Sequence, residues 1–152
     1  MNAVRLRRAA LVAGSALAAG CAAGCAIGRP PEVREIAVDL AVSRAEAVRR
    51  THAVFREQGY AIRETPTSGT SPETEPFRHR GDADVVFRAA ITGDTRRSHV
   101  VFSGTYRTRD LGGLVHGKER PVRRVDPDGD ALERELWARL DNLAIMLRRR
   151  GG

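Results

Sequence analysis

The stretch ADVVFRAAITGDTRRSHVVFSGTYR, residues 83–107, decides the fold. Apolar side chains hold every second position in its first half: Ala83, Val85, Phe87, Ala89 and Ile91. In its second half Val100, Phe102 and Tyr106 repeat the alternation, and Gly104 on the same face predicts room for a helix to cross closely. A period of two is typical of a strand with one buried face. Residues 92–95, TGDT, have a hairpin-turn composition, so the stretch predicts two antiparallel strands.

The residues before this hairpin predict a strand, a helix and a further strand. Residues 34–42 alternate apolar and polar side chains, which is again the strand period. Ser43 follows directly, with Glu46 three residues later, which is the capping-box pattern at the start of a helix. The predicted helix ends just before Gly59, because glycine accepts the left-handed conformation that closes a helix. Residues 60–65 predict a second strand.

Two segments rich in turn-forming residues separate the remaining elements. Residues 66–81 predict a long connection with a short strand near Phe77, and residues 109–124 an irregular, basic segment. Acidic residues at 126–130 then favour a helix start, where the helix dipole is positive. The helix carries a leucine stripe flanked by Trp137 and Ala144: Leu132, Leu136, Leu140, Leu143 and Leu147.

Together these elements predict one α+β domain over residues 33–150, in the order β-α-β-β-β-α. Two amphipathic helices need a common apolar surface, so they are expected on one face of an antiparallel sheet of about four strands, in two layers. This order loosely resembles small helix-on-sheet domains of envelope lipoproteins, such as the barrel-assembly accessory lipoproteins.

The first twenty residues predict export. Arg5, Arg7 and Arg8 precede an uncharged run rich in Ala, Leu and Val at residues 9–20, which is the layout of a secretory signal. Residues 17–21, LAAGC, resemble the lipobox of bacterial lipoproteins, with small residues before a cysteine. Residues 22–25, AAGC, offer a second match, so Cys25 is the alternative to Cys21.

The resemblance implies a signal peptide at residues 1–20 and an acylated Cys21 at the head of a flexible tether, residues 21–32. In that family the cysteine thiol receives a diacylglyceryl group, and the new amino terminus is usually acylated as well. The expected location is the cell envelope, facing the periplasm or the exterior, and the outer membrane in a Gram-negative cell. No other cysteine is present, so no disulfide is expected in the domain.

The titratable side chains do not predict an enzyme. His52, His79, His99 and His116 show no metal-ligand spacing, and none has a nameable catalytic partner. Asp126, Asp128 and Asp130 are spaced like the start of a calcium loop, but Ala131 and Trp137 stand where Gly and Glu are required. We therefore expect no metal, cofactor or catalytic residue, and interpret the aspartates as helix caps.

The candidate binding residues are basic. The chain carries a net charge of +7, and +4 remains without the signal. Arginines and one lysine cluster near the second irregular segment: Arg107, Arg109, Lys118, Arg120, Arg123 and Arg124. In an exported protein these cations indicate binding to anionic head groups rather than to nucleic acid. The alternative interpretation is that they are simply solvated. The expected function is non-catalytic binding to another envelope component; the alternative is a small-ligand carrier or enzyme with a cavity between sheet and helices.

Overall fold

The computed structural model describes residues 32–63, 71–80, 83–108 and 117–151. The elements in these ranges are β1 (Ile36–Leu40), α1 (Arg44–Glu57), β2 (Phe77–His79), β3 (Ala83–Gly93), β4 (Ser98–Thr108), β5 (Arg120–Pro121) and α2 (Ala131–Gly151). Every strand pairing among them is antiparallel. The predicted α+β class, with two helices on an antiparallel sheet, is confirmed.

The sheet is centred on β4. One edge of β4 pairs with β3 along its whole length, from Gly93 opposite Ser98 to Ala83 opposite Thr108. The other edge is shared, since β1 takes residues 98–102 and β5 takes residues 105–106. β2 pairs with the beginning of β3. β1 and β5 therefore lie one after the other along the same edge of β4.

The turn between β3 and β4 is fixed by Asp94. Its Oδ1 accepts hydrogen bonds from the backbone N–H of Arg96 at 2.7 Å and of Arg97 at 2.9 Å. These bonds favour the ionised carboxylate and hold its pKa below the ordinary value. The Asp94 carbonyl accepts from the backbone N–H of Arg44 at 2.9 Å, which ties the turn to the first residue of α1.

Helix α1 begins and ends where the sequence predicts. The Ser43 hydroxyl accepts from the Glu46 backbone N–H at 3.3 Å, so one half of the capping box forms. The Glu46 carboxylate instead pairs with Arg49 and Arg50 on the next turn. At the other end Gly59 has φ +78°, the left-handed conformation expected after a helix.

The core lies between the helices and one face of the sheet. The inward residues of β3 and β4 are buried, as predicted, and both helices turn their buried stripes toward them. Ring contacts fill the middle, with Phe55 and Phe102 centroids 6.1 Å apart and Tyr60 and Phe87 centroids 5.6 Å apart. Within the described residues, neither helix is long and apolar enough to cross a membrane.

The predicted second strand, residues 60–65, is reduced to a bridge in its described part. Ile62 lies opposite Thr74, with Arg63 N–H donating to the Glu73 carbonyl at 2.8 Å. Thr74 donates in turn to the Phe87 carbonyl at 2.9 Å, so this segment extends the β2 edge of the sheet. The partner of this bridge, residues 73–75, lies between Pro72 and Pro76. Proline lacks the backbone N–H that a strand pairing needs, so the two prolines keep the pairing short.

Two predictions from the sequence differ from the structure near β5. Residues 120–121 were expected in an irregular segment, yet they form a short strand, and Val122 N–H donates to the Gly104 carbonyl at 2.8 Å. The prediction that Gly104 admits a helix is wrong. A Cβ on Gly104 would lie 2.7 Å from Phe87 Cδ1 and 3.2 Å from Val122 Cγ2, so side chains of the sheet fill that space.

Candidate functional site

The predicted site residues fall into two groups. Cys21, Cys25 and Arg109 lie outside the described residues. The other five predicted residues are exposed and lie at the end of β4, beside and along β5, or just after it: Arg107, Lys118, Arg120, Arg123 and Arg124. The pairing of β5 with β4 brings this second group together. We call these five residues the basic cluster.

The charge of Arg107 is compensated. Its Nη2 lies 2.7 Å from Oε2 of Glu119, on the segment that leads into β5. Hydrogen bonds from Arg107 and from Thr105 lower the pKa of Glu119 below its usual value, so this carboxylate stays ionised at neutral pH. Arg107 therefore contributes little net positive charge to the basic cluster.

Arg123 is compensated twice. Its Nε donates to Oε2 of Glu133 at 2.9 Å, and its Nη1 pairs with Glu32 at the beginning of the described chain. These two carboxylates raise the pKa of Arg123 well above its ordinary value. Arg123 joins three parts of the domain and is not a free surface cation.

The second partner of Glu133 is Tyr106 on β4. The Tyr106 hydroxyl donates to Oε1 of Glu133 at 2.7 Å, and both residues are buried. Arg123 donates to the other carboxylate oxygen, so each oxygen of buried Glu133 accepts a hydrogen bond. The backbone N–H of Glu133 donates to Asp130 Oδ1 at 3.0 Å, which confirms Asp130 as a helix cap. We call Tyr106, Arg123, Glu133 and Glu32 the anchor network, because it joins α2 to β4, β5 and the start of the domain.

The Tyr106 hydroxyl predicts a loss of stability in alkali. Burial, followed by the hydrogen bond to Glu133, raises the pKa of Tyr106 from 10.0 to about 12. Below pH 10 the phenol is neutral in folded and unfolded chains alike. Between about pH 10 and 12 only the unfolded chain releases this proton, so the free energy of unfolding should fall across this window. Urea unfolding from pH 8 to 12 measures this fall, and Tyr106→Phe should flatten it; an equally steep fall in Tyr106→Phe would contradict the assignment.

Three cations of the basic cluster remain uncompensated within the described residues. No described carboxylate forms an ion pair with Lys118, Arg120 or Arg124, and all three are exposed. Arg120 is also close enough to the Tyr106 hydroxyl to favour its ionised form. Within the basic cluster, the uncompensated positive charge therefore comes from these three residues, which we call the free cations.

The free cations lie beside the point where the chain enters the domain. Backbone N–H of Arg124 donates to the carbonyl of Val33 at 2.8 Å, and Glu32 pairs with Arg123. The opposite end of the domain carries the β3–β4 turn and the N-terminus of α1. The entry point of the chain and the free cations thus share one end of the domain.

A groove of about 390 Å³ runs over the outer face of the sheet. Its charged walls are paired: Glu73 bonds Arg63 at 2.9 Å and Arg88 at 2.5 Å, and Glu119 bonds Arg107. The volume between sheet and helices, which the alternative interpretation requires to be hollow, is occupied by fully buried Phe and Leu side chains. Among residues 32–63, 71–80, 83–108 and 117–151, the geometry thus gives no support to a ligand cavity in the interior.

Two of the three described histidines, His79 and His99, contact a carboxylate. His79, predicted in a loop, is buried at the end of β2, where its Nε2 lies 2.9 Å from Glu135 Oε2. His99 lies on the solvent face as expected, with Nδ1 at 2.7 Å from Asp39 Oδ1. His52 is half-buried, and burial followed by Arg56 lowers its pKa. Within the described ranges no three metal-ligating side chains come together.

Comparisons with known proteins leave the chain without a family. No family model matches it, and no curated protein does. Among solved structures it is similar to a TBP-like protein from Parabacteroides distasonis ATCC 8503, with 14% identity and a TM-score of 0.35, over 73% of this chain and 92% of that one. A TM-score this low supports no transfer of function.

Proposed function

We propose that this protein is a lipid-anchored lipoprotein of the bacterial cell envelope, acylated at Cys21 or, alternatively, Cys25. Its domain binds anionic head groups through the free cations and presents the rest of its surface to another envelope component. The role is non-catalytic. The observation that carries the proposal is the shared position of the chain entry and the free cations at one end of the domain.

The tether limits how far the domain can move from the membrane. Twelve residues, from Cys21 to Glu32, reach at most about 40 Å when fully extended. A tether of this length keeps the domain near the bilayer, where the free cations beside the entry point can reach the head groups. Each free cation near an anionic surface would contribute about 1 kcal/mol. Together with lipid chains in the membrane, this contribution favours one orientation of the domain.

Metabolic labelling with a palmitate analogue tests the anchor. Wild-type protein should incorporate the label, because the lipobox cysteine is the acceptor of the lipid in this class. Cys21→Ala combined with Cys25→Ala should abolish incorporation, since no other cysteine exists. Each single variant assigns the modified residue. Absence of label from the wild type, or unchanged label in the double variant, would refute the proposal.

Vesicle binding tests the head-group contact on residues 31–152, which form one compact unit. The unacylated fragment should bind anionic vesicles at low salt and release them as salt rises, because the attraction is electrostatic. Replacing Lys118, Arg120 and Arg124 together by Ser should lower affinity by about 3 kcal/mol, or roughly a hundredfold.

The matched control removes the same charge from the opposite end of the domain. Arg44, Arg96 and Arg149 are exposed, and their joint replacement by Ser should weaken binding much less. Equal losses in the two triple variants would mean that only net charge matters. Equal binding to neutral and anionic vesicles would remove the head-group contact from the proposed function.

A further inference from the structure

One carboxylate bridges two arginines at the end of the domain where the chain enters. Oε2 of Glu32 accepts hydrogen bonds from Arg34 Nε at 3.0 Å and Nη2 at 2.5 Å, and its Oε1 accepts from Arg123 Nη1. The bonds from Arg34 and then from Arg123 lower the pKa of Glu32, so this carboxylate is ionised at neutral pH. Glu32 therefore holds two cations that come from different parts of the chain.

The two arginines lie next to a free cation. Arg124 follows Arg123 directly, and its backbone N–H donates to the carbonyl of Val33, the residue before Arg34. Residues 32–34 and 123–124 therefore run side by side. Three arginines are thus carried within one or two residues of a single backbone hydrogen bond.

Glu32 masks positive charge at this end of the domain. Within the described residues Arg34 has no other carboxylate partner, and Arg123 has only Glu133 besides. Two guanidinium groups and two carboxylates cancel, so these residues add no net charge to the free cations. The side chains of Arg34, Arg123 and Glu32 are 57%, 44% and 38% exposed. Ion pairs this exposed contribute little to stability, so a competing anion can displace the carboxylate.

Phosphate offers arginine the same hydrogen-bonding chemistry as a carboxylate. The planar fork of guanidinium N–H donors matches both groups. Arg34 already directs two of these donors, Nε and Nη2, at one oxygen of Glu32. The place that the Glu32 carboxylate occupies between two arginines therefore suits a phosphate group as well.

We propose that Glu32 is an intramolecular competitor of lipid phosphate, and that Arg34 and Arg123 belong to the head-group site. The inference rests on the proposed function, to which it adds two cations and the contact that regulates them. A head-group phosphate displaces the Glu32 carboxylate into water, and the two arginines then join Arg124 in binding it. Glu32 is also the last residue of the tether, so the anchored segment and the head-group site meet at this contact.

Removing the carboxylate tests the competition. The unacylated chain, residues 21–152 with Cys21→Ser and Cys25→Ser, is titrated with phosphatidylcholine vesicles with or without phosphatidylglycerol. Glu32→Gln should raise the affinity for the anionic vesicles roughly fivefold, because the arginines no longer have to leave a carboxylate. Affinity for the neutral vesicles should not change. An unchanged affinity of Glu32→Gln for the anionic vesicles would overturn the inference.

Glu46→Gln is the matched control. Glu46 also bridges two arginines, Arg49 and Arg50, but it lies in the first turn of α1 at the opposite end of the domain. Its replacement removes the same charge and should raise the affinity by less than about twofold. Equal gains in Glu32→Gln and Glu46→Gln would overturn the proposal, because any lost negative charge would then act alike.

A double-variant cycle separates competition at Glu32 from net charge. Arg34→Ser should weaken binding roughly fivefold in the Glu32→Gln chain, and less than about twofold when Glu32 is present, because Arg34 must then leave its carboxylate to bind phosphate. Equal factors in the two backgrounds would overturn the proposal. If the chain with Glu32 does not bind anionic vesicles at all, the proposed head-group contact fails together with this inference. If that chain binds and only the Glu32 variants behave additively, the inference alone fails.

Inorganic phosphate identifies the source of the phosphate group. Added at constant ionic strength, it should release the chain from anionic vesicles no more than chloride does, which assigns the site to lipid phosphate held at the bilayer surface. Selective release by inorganic phosphate would overturn the assignment to lipid and give the same arginines to free phosphate.

Discussion

Leu140→Ala is expected to lower the free energy of unfolding by about 2–5 kcal/mol. Leu140 lies in the middle of α2, has no exposed surface and belongs to the cluster that joins both helices to the sheet. The substitution removes apolar surface from the core and leaves a cavity that close-packed neighbours fill only in part. Such a loss is a large share of a typical domain's stability. Urea unfolding of residues 31–152 measures it.

Ile145→Ala is the matched control on the same helix. Ile145 is 37% exposed and does not belong to the buried core, so its truncation leaves no enclosed cavity, and the expected loss is about 1 kcal/mol or less. A loss below about 0.5 kcal/mol for Leu140→Ala would mean that the leucine stripe does not face the sheet. The two-layer arrangement would then be wrong.

The elements that the sequence predicts correctly are those specified by local rules. The hairpin at residues 83–107 alternates along its whole length, and its inward residues are the buried ones. Ser43 caps α1 and Gly59 follows it in the left-handed conformation. Four leucines from Leu136 to Leu147 are fully buried at helical spacing, while Leu132 and Trp137 pack against the core only in part. Periodicity and capping are visible within one turn or one strand.

The elements that the sequence misses depend on distant partners. β5 is two exposed residues long and contains Pro121, so it has no apolar period. It forms because β1 covers only residues 98–102 of β4 and leaves the next stretch of that edge open. The predicted strand at residues 60–65 is only a bridge in its described part, because its partner segment is short. Pro72 and Pro76 bound that segment and cannot donate a backbone hydrogen bond.

The candidate site is predicted in location but not in its charges. The sequence groups the basic cluster correctly, yet it cannot show that Glu119 compensates Arg107 or that Arg123 belongs to the anchor network. The sequence by itself assigns no role to Glu133. It lies one turn before Leu136, on the buried stripe, and this position is the signal that could have indicated a buried carboxylate.

Glu133→Ala is expected to lower the free energy of unfolding by about 1.5–3 kcal/mol, the range for hydrogen bonds to a charged group. The change removes the acceptor of the buried Tyr106 hydroxyl and one of the two carboxylates that hold Arg123. Arg123 keeps its ion pair with Glu32 and is 44% exposed, so water can solvate it. The loss of stability should therefore be smaller than for a buried charge left without a partner. Urea unfolding at pH 7 measures the difference.

Two further variants separate the anchor network from general effects on α2. Asp141→Ala removes an exposed carboxylate that forms no ion pair within the described residues, and it should change stability little. Glu133→Gln keeps an acceptor for Tyr106 but loses the charge that Arg123 requires, so its loss should be intermediate. Glu133→Ala should also move the alkaline decline of stability toward pH 10, because Glu133 is one of the two causes that raise the pKa of Tyr106. If Glu133→Ala costs no more than Asp141→Ala and leaves the alkaline decline in place, the network does not hold α2 against β4, and burial alone sets the pKa of Tyr106.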